Sequence, residues 1–78
     1  MSKKTIEELR SGKEFVNHAL HHQNLIDYRQ RGSHFIGETE KGMVVIPNHD
    51  KDLGIGIRKA IIKTMLAIGL GIFLVVIL

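Results

Sequence analysis

Apolar positions change period twice along this chain. After Ser11, the residues Phe15, Val16, Ala19 and Leu20 recur at i, i+1, i+4 and i+5. That is one stripe of a 3.6-residue repeat, and it predicts an amphipathic helix over residues 12–23. Thr5-Ile6-Glu7-Glu8 and Ser11-Gly12-Lys13-Glu14 both have the form in which a hydroxyl caps a first turn and a glutamate reaches back to the cap amide. Gly12 is a weak helix former, so Thr5 to Arg10 reads as a separate preceding turn. From Asn24 the texture becomes short β-prone runs divided by glycine. Three strands fit: Leu25 to Gln30, His34 to Glu38, and Met43 to Pro47. Arg31-Gly32-Ser33 and Thr39-Glu40-Lys41-Gly42 have the length and the glycines of hairpin turns, so the strands pair in sequence and antiparallel. Pro47 has no N–H to donate and closes the third strand. A polar loop, Asn48 to Asp52, leads to Gly54-Ile55-Gly56. Beyond it Ile57, Ala60, Ile61, Thr64, Met65 and Ile68 restore the helical spacing, with Arg58, Lys59 and Lys63 on the wet side.

The order α-β-β-β-α describes an α+β domain: a three-stranded antiparallel sheet with two helices on one face and the other face open to a partner. Residues 1–10 form an N-terminal extension, 11–68 the domain and 69–78 a hydrophobic tail. A chain of 78 residues buries only about 60% of its unfolded surface, so the core is thin. With no cysteine, packing alone must hold it. A formal charge of +3 and a pI near 9.5 favour a polyanion, nucleic acid or an acidic membrane face, without choosing between them. The first residues lack the apolar run of a secretory leader, so a cytoplasmic domain is expected.

Five histidines fall into two groups. His18, His21 and His22 lie on the first helix, and His18 and His22 share a face. With no third ligand or supporting acid in the pattern, they read as a solvated helical face rather than a metal site. His34 differs, because it opens a strand beside Arg29, Arg31 and a glycine turn. RNA carries its own nucleophile, the 2′-hydroxyl, so cleavage needs only a proton carrier and positive charge near the phosphate. An imidazole can do the first, and Arg or Lys the second. Arg29, Arg31 and Lys41 are the candidate phosphate contacts.

Arg29-Gln30-Arg31-Gly32-Ser33-His34 resembles a signature of the HicA toxins, in which a strand, a tight turn and Gly-Ser-His follow the first helix. Val44-Val45-Ile46-Pro47-Asn48-His49 resembles the second signature, and Gly56-Ile57-Arg58-Lys59-Ala60-Ile61-Ile62-Lys63 the third, a glycine opening the last helix. Together they cover residues 11 to about 64. The resemblance implies a double-stranded-RNA-binding-like fold that cleaves mRNA without a metal or other cofactor and is silenced by a HicB-like antitoxin. His34 takes the place of the family's catalytic histidine. Gly32 and Ser33 shape the turn presenting it, and Pro47, His49 and Gly56 fall at motif positions.

The chain departs from the family after Lys63. Members stop soon after the last helix, whereas here Gly69-Leu70-Gly71 is followed by the wholly apolar Ile72 to Leu78. Three readings are open. A helix from Ala60 to Leu78 is about 28 Å long, nearly a hydrocarbon core, and would tether the domain to the inner face of a membrane. A β-branched strand hinged at Gly69 and Gly71 would be buried in a homo-oligomer or against a partner. Lastly, the tail would complete the domain's own core. Two other functions compete with the ribonuclease: a non-catalytic RNA- or protein-binding module of the same fold, and a small membrane-active protein acting through its C-terminal segment.

Overall fold

Period-two alternation becomes a three-stranded meander in the computed structural model, which describes residues 5–71. A short 3-10 helix (Ile6–Glu8) precedes α1 (Gly12–Leu20), β1 (Asp27–Arg31), β2 (His34–Thr39), β3 (Gly42–Pro47) and α2 (Ile55–Ala67). The strands lie in the order β1-β2-β3, both pairs antiparallel. Along β2 burial alternates. Phe35, Gly37 and Thr39 are buried, while His34, Ile36 and Glu38 point the other way. Register extends both sets across the sheet. Phe35 pairs with Ile46 and Gly37 with Val44, giving one apolar face. Both helices pack on that face: Phe15, Val16 and Ala19 from α1 and Ile61 and Met65 from α2 share one core with Phe35, Val44 and Ile46.

Helix α1 begins where its cap pattern places it. Glu14 N–H donates to Ser11 Oγ at 3.2 Å, and Ser11 N–H to Glu14 Oε1 at 3.1 Å. The Thr5 pattern starts only a single turn, and Ile6 and Leu9 from it join the core. Gly12 has a stronger reason to be glycine than low helix propensity. A Cβ there would lie 1.6 Å from the Pro47 carbonyl oxygen, so the helix start sits directly on the end of β3.

Several boundaries shift. Helix α1 stops at Leu20 rather than residue 23: His22 N–H donates to Ala19 O at 3.1 Å, three residues back instead of four, and Asn24 N–H goes to the His22 ring Nδ1 at 3.1 Å. β1 starts at Asp27 rather than Leu25, since Leu25 turns in against the core, and it runs on to Arg31. The expected solvated histidine face is also overturned. His18 and His22 are buried, and only His21 is exposed. On α2 Ile61 and Met65 are buried, as is Ile68 at its C-cap, but Ile57 and Ala60 are exposed. Arg58 is not simply on the wet side. It is half-buried and its Nε donates to the Leu9 carbonyl at 3.2 Å.

The end of α2 explains the buried histidines. Gly69 has φ +87°, a left-handed conformation that favours glycine. Leu70 N–H donates to Met65 O at 2.7 Å and Gly69 N–H to Leu66 O at 3.4 Å, the pair of bonds that stops a helix and reverses the chain. The remaining carbonyls find side-chain donors: Thr39 Oγ1 for Ile68 (2.7 Å), Asn24 Nδ2 for Gly69 (2.8 Å), and His18 Nε2 for Leu70 and Gly71 (2.9 and 2.8 Å). Both partners of Nε2 are acceptors, so it carries the hydrogen. Leu70 is wholly buried beside Met65.

This ending bears on the tail. Helix from Ala60 stops at Ala67, and among the described residues no helix is long and apolar enough to cross a membrane. The unbroken anchor helix from Ala60 is therefore not formed. Leu70 does complete the core, whereas Ile72 to Leu78, on which the strand reading rests, lie outside the described residues.

Two stability measurements check this account. Gly12→Ala is expected to lower the unfolding free energy in urea by about 1–3 kcal/mol or more, because backbone must move to admit the methyl. His18→Leu, close in volume, is expected to lose about 1–3 kcal/mol by leaving the Leu70 and Gly71 carbonyls without their donor. No change in midpoint for His18→Leu would show that the ring does not hold the helix end.

Candidate active site

The site is built by the turn joining β1 to β2. Arg31 and His34 are the closing pair, leaving Gly32 and Ser33 as the two central residues. Gly32 has φ +60° and Ser33 does not have a positive φ. That is the turn in which glycine occupies the first central position and whose twist matches the strands it joins. The turn fixes the register, and the register decides where the imidazole goes. His34 leaves β2 on the face opposite Phe35, and it is exposed.

Register also supplies its neighbours. Arg31 stands directly across on β1 and Pro47 across on β3, while Arg29, which pairs with Ile36, lies on the same face one pair further along. Residues facing each other across such a ladder hold their Cβ atoms about 4.5–5.5 Å apart, within reach of a shared ligand. Among the described residues neither Arg29 nor Arg31 is engaged by a carboxylate, and His34 has no ring hydrogen bond. Two guanidinium groups and an imidazole thus stand together on an uncovered face.

At the opposite end of that face the charge reverses. Asp27 pairs with Glu38, and Glu38 with Met43; between the two ends lie Arg29, Ile36 and Val45. The free face therefore runs from basic through apolar to acidic. Asp27 and Glu38, like charges set directly opposite on the ladder, make that end of the face acidic.

The other sequence-derived residues divide by position. Pro47 closes the ladder beside His34. His49 is exposed, and its carbonyl accepts the Lys13 N–H at 2.9 Å, tying the strand end to the first turn of α1. Lys41 lies in the β2–β3 turn, five residues of strand from His34 or about 17 Å, and its N–H donates to Thr39 Oγ1. The structure does not bring Lys41 to the His34 end. Gly56 lies in the first turn of α2, a helix that packs on the covered face, so it too is remote from the imidazole.

Two residues are missed by reading the sequence. Gln30 and Asn48 join the turn to the end of β3: Asn48 Nδ2 donates to Gln30 Oε1 at 3.2 Å and Gln30 Nε2 to the Gly32 carbonyl at 3.0 Å. Nothing local marks a strand-end glutamine and a loop asparagine as partners 18 positions apart; only the pairing of the strands brings them together.

Among known proteins, the family model for the HicA toxin of bacterial toxin-antitoxin systems matches residues 12–65, from the first residue of α1 almost to the end of α2. No curated protein and no solved structure matches the chain. The match takes in the meander, both helices and all three signature stretches, which is most of the described fold. This chain belongs to the HicA toxin family.

Proposed function

We propose that the chain is a toxin that cleaves single-stranded mRNA at the His34 end of its open sheet face. Family membership brings a toxin of ribonuclease type and, as partner, a HicB-like antitoxin. The observation that carries the site is the register: it sets an exposed imidazole directly across from one guanidinium and beside another on the face the helices leave bare.

In this reading Arg31 and Arg29 hold the scissile phosphate and its neighbour. They are two residues apart on one strand, so about 7 Å separates them, a span suited to successive phosphates of a stretched single strand. The 2′-oxygen attacks phosphorus as the bond to the 5′-oxygen breaks, leaving a cyclic phosphate and a free 5′-hydroxyl. His34 is the general acid/base for these proton movements, exchanging the balance of protons with solvent. The guanidinium groups stabilise the charge that builds on the phosphoryl oxygens. Ile36 and Val45 give a base an apolar surface to lie on, and Asp27 with Glu38 repels the backbone further along.

His34→Ala is expected to abolish growth arrest and to slow cleavage of an RNA oligonucleotide by about 100-fold or more, with an unchanged melting temperature because the ring is exposed. Undiminished cleavage by that variant removes the assignment. Arg29→Gln and Arg31→Gln are each expected to flatten the salt dependence of RNA binding by about 0.7 in log–log slope, whereas Lys41→Gln leaves it unchanged. Truncation after Gly71 keeps Leu70 and the His18 contacts and is expected to preserve cleavage. Toxicity that disappears on this truncation while cleavage persists would move the toxic action to the C-terminal segment.

A further inference from the structure

Resting on the ribonuclease reading, we infer that Gln30 and Asn48 are positioning residues for His34, forming an amide clamp that fixes the imidazole against Arg31. The need for a clamp follows from where the site stands. All five residues of β1 are exposed, and the strand is an outer edge of the sheet, joined on one side to β2. A short strand with so little burial, closed by a two-residue turn, opens at low free energy. Arg31, Gly32, Ser33 and His34 all belong to that end.

Three hydrogen bonds oppose the opening. Gln30 Nε2 donates to the Gly32 carbonyl at 3.0 Å, which pins the first central residue of the turn. Asn48 N–H donates to the Ser33 carbonyl at 2.7 Å, which pins the second. Asn48 Nδ2 donates to Gln30 Oε1 at 3.2 Å and closes the circuit. The Gln30 side chain is thus a two-ended spacer between the turn and the strand end. Asn48 directly follows Pro47, the residue paired with His34, so the clamp holds the catalytic residue's neighbours on both sides.

The anchor at the far end is rigid. His49 N–H donates to the Pro47 carbonyl, His49 O accepts the Lys13 N–H, and that same Pro47 carbonyl leaves no room for a Cβ at Gly12. Whatever the clamp holds is therefore referred to the start of α1 and the core behind it. Both clamp side chains are amides, which do not titrate, so the clamp alters the height of a pH–rate profile and not its shape. Misplacing a proton-transfer group by about 1 Å can slow a reaction by about 100-fold, so the expected effect falls on kcat.

The test uses the full chain with Gln30→Met, Asn48→Leu and the double variant. Asn48→Leu keeps the backbone N–H to Ser33 and is close in size, but it removes the donor to Gln30 Oε1 without adding charge beside His34. Both single variants are expected to cut kcat on an RNA oligonucleotide by about 10- to 100-fold with KM within about twofold and with the pH profile keeping its shape. In the double variant the losses should not multiply, since either substitution already opens the circuit. Amide hydrogen exchange over Arg31 to His34 is expected to quicken in each variant while the core amides stay protected. Wild-type exchange and kcat in both single variants, or losses that multiply in the double, overturn the inference. His34→Ala run alongside separates the two levels: if it cleaves as fast as wild type, the assignment of His34 falls and exchange alone decides whether the clamp exists.

Discussion

The two-faced register of β2 is the constraint on which the rest of the molecule depends. Phe35, Gly37 and Thr39 must face the helices and His34, Ile36 and Glu38 must face away. A slip of one residue would exchange the two sets, putting an imidazole and a carboxylate into the core and phenylalanine into water. Phe35 packed with Val44, Ile46, Phe15 and Met65 resists that slip by hydrophobic burial, and the two-residue turn at Gly32 resists it by geometry. Folding energy and site construction are the same event here: burying Phe35 is what displays His34.

Such a small sheet cannot protect its edges by size, so side chains do the work. At the His34 end, Gln30 and Asn48 hold the turn, and the strand end rests on α1 through Pro47 and His49. Across the molecule, Thr39, Asn24 and His18 collect the carbonyls that α2 leaves unpaired. A helix end buried without donors would be costly, because each desolvated carbonyl loses its water without replacement. His18 thereby serves the fold, although its spacing with His22 resembles that of metal ligands. Both rings lie inside, 6.1 Å apart, and among the described residues no group of three or more potential ligands gathers.

The open face is not uniformly basic, and this shapes what it can hold. Arg31 and His34 occupy one end, Asp27 and Glu38 the other, with Arg29, Ile36 and Val45 between. The overall charge of +3 would have led one to expect an evenly cationic surface, yet the residues that produce it are scattered: Arg10 and Lys13 pair with Asp52 and Asp50, and Arg58 bonds a backbone carbonyl. Among the described residues, two guanidinium groups with no carboxylate partner stand beside an imidazole and are bounded by carboxylates, a short cationic patch rather than a long groove.

Local pattern was enough for much of this. Element order, the capping box at Ser11, the antiparallel meander, the glycine turn before His34 and the HicA resemblance all rest on residues near one another in the chain, where spacing and chirality act directly. The limits of α1 and β1, the burial of His18 and His22, the half-buried Arg58 and the stop at Gly69 did not follow from it, because each depends on a partner far along the chain. Gly12 shows the distinction: its local meaning was a weak helix start, while its physical role is to admit the Pro47 carbonyl. The sequence by itself determined which residues could carry chemistry and which strand displays His34. Only the tertiary structure decided that Lys41 does not stand with it and that Gln30 meets Asn48. Strand pairing converts distance along the chain into contact, and no local rule contains that distance.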